Sequence, residues 1–228
     1  MKLMQLLEYD YESDSKLVLK SRNAFTKLKE YIKNAAENSN KWERSDRWGG
    51  FIIPFSKIDN TYNKLIIVLA DKNIGNAGFS KLKTSNYDGV IVLPILIEPF
   101  NLMYADTRLN KNMFVHEFTH YLDTKRYKSD IRSSSAKQLD AGNITKYLSS
   151  PAEFNAFFIE TLESIENMFE DNSQLANKFL VDFNSFLTFF KTMFPQKLSD
   201  KFDDIYNKKF KKRVYNTYQQ IKEKYKGI

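Results

Sequence analysis

Met113-Phe114-Val115-His116-Glu117-Phe118-Thr119-His120-Tyr121-Leu122 is the stretch on which the reading of this chain turns. The 228 residues contain only two histidines, and both fall here, four positions apart with a glutamate directly after the first. On an α-helix, positions i and i+4 share a face, so His116 and His120 can aim their imidazoles at one metal ion. Glu117 beside them can take a proton from a water that the metal acidifies, and pass it later to a leaving amine. The spacing therefore reads as a catalytic zinc site, with zinc as the expected cofactor. The plainer alternative is a pair of surface histidines on an ordinary amphipathic helix.

The flanks predict that helix. Residues 107–125 contain neither proline nor glycine, and Asp106 is placed to cap the N-terminus. Phe114, Phe118 and Leu122 form one apolar stripe, which can pack on a core while the histidine face looks into a cleft.

A catalytic zinc site takes a third protein ligand, and with no further histidine and no cysteine in the chain it must be a carboxylate. Asp123 stands three residues after His120, where its short side chain suits a hydrogen bond to a histidine N–H better than the metal. Glu153 is the stronger candidate, since it opens a second long apolar helix at residues 147–158, where Ala156 permits close helix approach. A second account of Glu153 stands beside this one. Ser150 as N-cap, Pro151 at the first helical position and Glu153 three residues after the cap spell a capping box. Glu160, two turns further along, is the reserve ligand or a solvated acid.

HEFTH at 116–120 followed by PAEFNAF at 151–157 resembles the gluzincin branch of zinc metallopeptidases, and within it compact bacterial and phage-type metallopeptidase-like proteins. The resemblance covers little more than the middle third of the chain. It implies His116, His120 and Glu153 as zinc ligands, Glu117 as general base, and a protein or peptide as substrate. Many members of that branch add a histidine or tyrosine to stabilise the oxyanion, and no histidine remains here. Tyr147, just before the Glu153 helix, is the expected catalytic partner, with Tyr121 and Arg132 as further options. With thirteen tyrosines in the chain, ordinary packing also explains either tyrosine.

Upstream, residues 64–70 and 89–97 are rich in β-branched residues between turn-forming ones and predict strands, with residues 51–54 as a third. Pro94 cannot donate to a sheet ladder, so its strand should lie at an edge or break there. Residues 90–93 would then offer the edge on which an extended substrate adds as a further strand, or be a plain structural strand. A helix is expected over 16–38 through Leu17, Leu19, Phe25, Leu28 and Ile32, and others over 151–169, 173–193 and, as one helix or two, 197–226, with breaks at Asn172 and Pro195. The expected fold is α+β and zincin-like: a small sheet packed against the active-site helix, with a mostly α-helical C-terminal half. One domain over 1–228 is expected, a zincin core of about 50–170 with a helical lobe at 171–228. The Ser-, Lys- and Asp-rich loop at 127–143 is the candidate lid.

The net charge of +7 gathers toward the C-terminus, where residues 208–213 (KKFKKR) lie beside Tyr215. That cluster is either a nucleic-acid contact or the solvated face of a helix in a lysine-rich protein. A catalytically silent, structural or nucleic-acid-associated protein of metallopeptidase-like fold is the alternative function it suggests. Zero cysteines exclude disulfides and thiolate zinc sites and are compatible with a cytoplasmic setting. No secretory or membrane segment is read from the sequence, while packaging into a phage particle would leave no mark on it.

Overall fold

The computed structural model describes residues 11–36, 43–47, 49–70, 77–82, 84–95, 109–127, 150–195 and 204–226. The expected Asp106 cap, Arg132, Tyr147 and the lid beyond Tyr127 lie outside these residues. The described residues fall into two compact units, those within Lys20–Asp130 and those within Met1–Leu19 and Ile131–Ile228. Together they make a mixed α+β chain with one small sheet and many helices.

In the Lys20–Asp130 unit the sheet comprises β1 (Glu43–Ser45), β2 (Gly50–Pro54), β3 (Leu65–Ala70), β4 (Gly78–Lys81) and β5 (Gly89–Pro94). Its order is β1-β2-β3-β5-β4, with β3 and β5 parallel and every other pair antiparallel. Every residue of β3 is buried, as expected for a central strand covered on both faces. Its side chains alternate accordingly. Leu65, Ile67 and Leu69 join the larger core, whereas Ile66 and Val68 meet Val90 on the opposite face.

Two helices build the larger core: α1 (Tyr11–Ala36), which belongs to this unit from Lys20 onward, and α2 (Lys111–Tyr127). α1 contributes Ala24, Phe25, Leu28 and Ile32, and α2 contributes Phe114, Phe118 and Tyr121, with Leu122 partly buried against them. The Phe114 and Phe118 rings stack with centroids 5.2 Å apart, and Phe25 meets Phe114 at 5.6 Å. Burial of each such ring is worth about 1.5–3 kcal/mol. The backbones of β2 and β3 come close at Gly50, where a Cβ would stand 2.2 Å from the Leu69 carbonyl oxygen.

Three expectations need correction here. The strand holding Pro94 is interior, lying between β3 and β4, so the edge placement fails, while the alternative expectation of a break holds because the strand ends at Pro94. Pro94 is tolerated because it ends the strand: β4 reaches only as far as the Gly78↔Val92 pair, so no described β4 residue needs its missing N–H. Among the described residues the outermost strand on this side is β4, not residues 90–93. Third, α1 starts at Tyr11 rather than at residue 16, and Leu19 is 55% exposed while Val18 is buried, so the stripe runs Asp14, Leu17, Val18, Ser21, Ala24, Phe25, Leu28 and Ile32.

The other unit is helical, with α3 (Pro151–Asp171), α4 (Ser173–Phe179), α5 (Phe183–Met193) and α6 (Asp204–Lys224). Asn172 closes α3 by donating its N–H to the Met168 carbonyl, and its side chain accepts from Gln174 N at 3.0 Å to open α4. The single helix expected over 173–193 is two. Asp182 caps a fresh start, accepting from Ser185 N at 2.9 Å. Aromatic rings fill this core: Phe154, Phe158, Phe190, Phe194 and Phe210 pack with centroids between 5.1 and 6.5 Å apart. Among the described residues no helix is long and apolar enough to cross a membrane.

Candidate metal centre

α2 positions the histidine pair. Asn110 caps it, its side chain accepting from Met113 N and its carbonyl from Phe114 N, each at 3.1 Å, so Asn110 takes the role expected of Asp106. With Phe114 and Phe118 turned into the sheet core, the helical period brings His116 and His120 together on another face, ring centroids 4.9 Å apart at an interplanar angle of 80°. His116 is 9% exposed and His120 is 1% exposed, far less than two surface histidines would be. Thr119 lies between them and satisfies its buried hydroxyl by donating to the Val115 carbonyl at 2.8 Å.

Glu117 is buried as well, and its Oε2 accepts a hydrogen bond from the backbone N–H of Phe79 on β4 at 2.6 Å. A bond this short to a carboxylate is of the charge-assisted kind. Asp123, one turn beyond His120, is 2% exposed. Tyr121 proves to be a packing residue. Its ring sits among Tyr62, Phe79 and Phe118, and burial, with the Asp88 carboxylate nearby, raises its phenol well above the usual range.

Glu153 sits in the first turn of α3, in the other unit from the histidines. Ser150 is the N-cap, as its spacing predicts, its hydroxyl accepting from Glu153 N at 3.4 Å and its carbonyl from Phe154 N at 2.9 Å. Glu153 is 2% exposed, and Ala156, the expected close-approach residue, is fully buried. Glu160 is only partly buried.

Two residues along from Glu153 lies a network that sequence reading missed. Arg213 on α6 donates to both Asp14 carboxylate oxygens, from Nε at 2.8 Å and Nη2 at 2.6 Å, and Nη2 also donates to Asn155 Oδ1 at 2.8 Å. Its guanidinium stands 3.8 Å from the centroid of the Phe158 ring. Arg213 therefore leaves the exposed basic cluster in which its sequence neighbours placed it, while Lys208, Lys211 and Lys212 stay on the surface. The signal was present: Phe210, Arg213, Val214, Thr217, Tyr218 and Ile221 follow the 3.6-residue period of a buried stripe.

Comparison with known proteins finds no match: no family model, no curated protein and no solved structure is significantly similar to this chain.

Proposed function

We propose that this chain is a zinc-dependent peptidase of zincin-like fold and gluzincin type, which hydrolyses a peptide bond with water. The observation that carries the reading is the buried His116–His120 pair, its rings 4.9 Å apart, with the intervening Glu117 turned onto the edge strand β4. Two imidazoles and a carboxylate are a donor set that suits zinc, and Glu153 is the proposed third ligand. A bound zinc ion supplies a Lewis acid that acidifies water and polarises a carbonyl. Glu117 removes the proton from the attacking water and returns it to the departing amine. Beyond the Phe79 amide that Glu117 holds, the edge of β4, outermost among the described strands, is proposed as the surface on which an extended peptide adds as a strand, which supports a peptide over a compact small molecule as substrate. Tyr147 is proposed to steady the oxyanion, a role that Tyr121, committed to the core, does not compete for.

The test is metal content and cleavage measured together. One zinc per chain is expected in the wild type, with sharp loss in His120→Ala and Glu153→Ala. Glu117→Gln should keep zinc and fold while cleavage falls by about 10²–10⁴-fold. Cleavage at the wild-type rate in Glu117→Gln would remove Glu117 as the base, and a wild type that takes up no zinc at neutral pH would sink the metallopeptidase reading.

A further inference from the structure

We infer that the backbone amide of Phe79 is the positioning group for Glu117: its N–H holds Oε2, so that Oε1 alone is presented as the proton acceptor. The inference rests on the reading of Glu117 as general base and adds to it a group with no side-chain signature.

The alternation of β4 makes this amide available. Leu82 N donates to the Asp88 carbonyl at 3.0 Å, which directs the N–H groups at 78, 80 and 82 toward β5. The amides of Phe79 and Lys81 consequently point away from the sheet. Phe79 is 4% exposed, so an outward N–H there needs a partner, and the Glu117 carboxylate, 38 positions along the chain, supplies it. The donor is itself held in place. The Phe79 ring meets the Tyr121 ring at 6.0 Å and occupies space that exists only because position 89 is glycine, where a Cβ would stand 2.7 Å from Phe79 Cε2.

The terminal torsion of a glutamate is soft and roughly two-fold, so an unanchored Glu117 would present either oxygen over a broad range of angles. A fixed backbone donor on one oxygen removes that freedom before substrate arrives. During the reaction Oε1 takes one proton from the attacking water as the water oxygen bonds to the scissile carbonyl carbon. The same proton passes to the amide nitrogen as the C–N bond breaks, and Oε2 stays on the Phe79 N–H throughout.

An amide-to-ester exchange tests this by replacing Phe79 with phenyllactic acid, which swaps the N–H for oxygen and leaves the ring. The expected result is kcat lower by about ten-fold or more, with KM, zinc content and melting temperature near wild type. The same exchange at Lys81, the other outward amide and one on the edge proposed to bind substrate, should raise KM without the fall in kcat, and a fall in kcat equal to that of the Phe79 ester would overturn the inference. A raised KM with unchanged kcat in the Phe79 ester would assign the amide to substrate binding instead and overturn the inference, as would no change in either constant. The contact is also read without turnover, from the Phe79 amide proton resonance, which should lie downfield and move upfield in Glu117→Ala. A resonance that does not move overturns the inference by itself. If it moves but the wild type cleaves no peptide, the peptidase reading has failed, and the contact is structural only.

Discussion

The sheet-containing unit and the helical unit bury polar groups for different ends. In the first, buried polar side chains gather on one helix, α2: His116, Glu117, Thr119, His120 and Asp123. The sheet beneath is aliphatic, and the hydroxyl of Thr119 is satisfied within its own helix. In the second, the buried charges of Asp14 and Arg213 answer each other, with Asn155 as a third member, and tie together helices distant in sequence. Arg213 is engaged bidentately and stacked on an aromatic ring, an arrangement that holds elements in register. Burial of charge alone therefore does not mark a reactive centre. The ligand-like spacing of titratable groups on one face of α2 is what the proposed function rests on.

The largest effect that would test this contrast lies in the helical unit. Arg213→Met should destabilise by about 3–5 kcal/mol, because Asp14 is fully buried and would lose its charge partner. Urea denaturation measures it, and the double variant with Asp14→Asn should recover much of the loss through the coupling of the pair. A small loss in Arg213→Met alone would mean that the pair does not hold the helices. A smaller effect is expected in the sheet unit, where Gly89→Ala pushes a methyl group into the Phe79 and Tyr121 rings, 2.7 and 3.0 Å away. Overpacking of this sort costs about 1–3 kcal/mol. Here the melting temperature should fall, and an unchanged value would show that the Phe79 ring yields freely.

The smallest effect concerns the surface and separates it from both cores. Asp59 accepts from Lys27 Nζ at 2.7 Å and from Thr61 N at 2.9 Å, and these bonds lower its carboxyl from 3.8 to about 2. Because the folded-state value is depressed, the stability it contributes is complete above about pH 4 and is lost as pH falls toward 2. Lys27 is half exposed, so the pair is worth only a few tenths of a kcal/mol. Acid titration of stability should show that increment in the wild type and not in Asp59→Asn, and an identical profile in both would discount the pair.

What could be read from the sequence follows physical type. β2, β3 and β5 were legible as runs of β-branched and aromatic residues, and α2 and α3 as helices from their period and the Ser150 cap. β1 and β4 were not, since Glu43–Ser45 and Gly78–Lys81 are short and carry no apolar alternation. They are strands because β2 and β5 offer them edges to pair with. The break at residues 180–182 was hidden by an apolar run, Phe179 to Val181, that continues the helical rhythm while Asp182 restarts it. The placement of the two histidines together on one helix face was legible, because it follows from side chains at fixed spacing on one helix. The hold on Glu117 was not, because a backbone amide has no residue type to announce it.

Gly78–Lys81 has a kinetic consequence as well. β4 and β5 pair across a short connection, closed by Leu82 with Asp88 and by Thr84 with Tyr87, so they can meet within microseconds of collapse. The parallel match of β3 with β5 needs the intervening chain to double back, and α2 arrives later still along the chain. The Phe79 amide is thus expected to be presented early and covered late. Followed by pulsed hydrogen exchange, its protection would time the moment at which the histidine helix docks on the sheet.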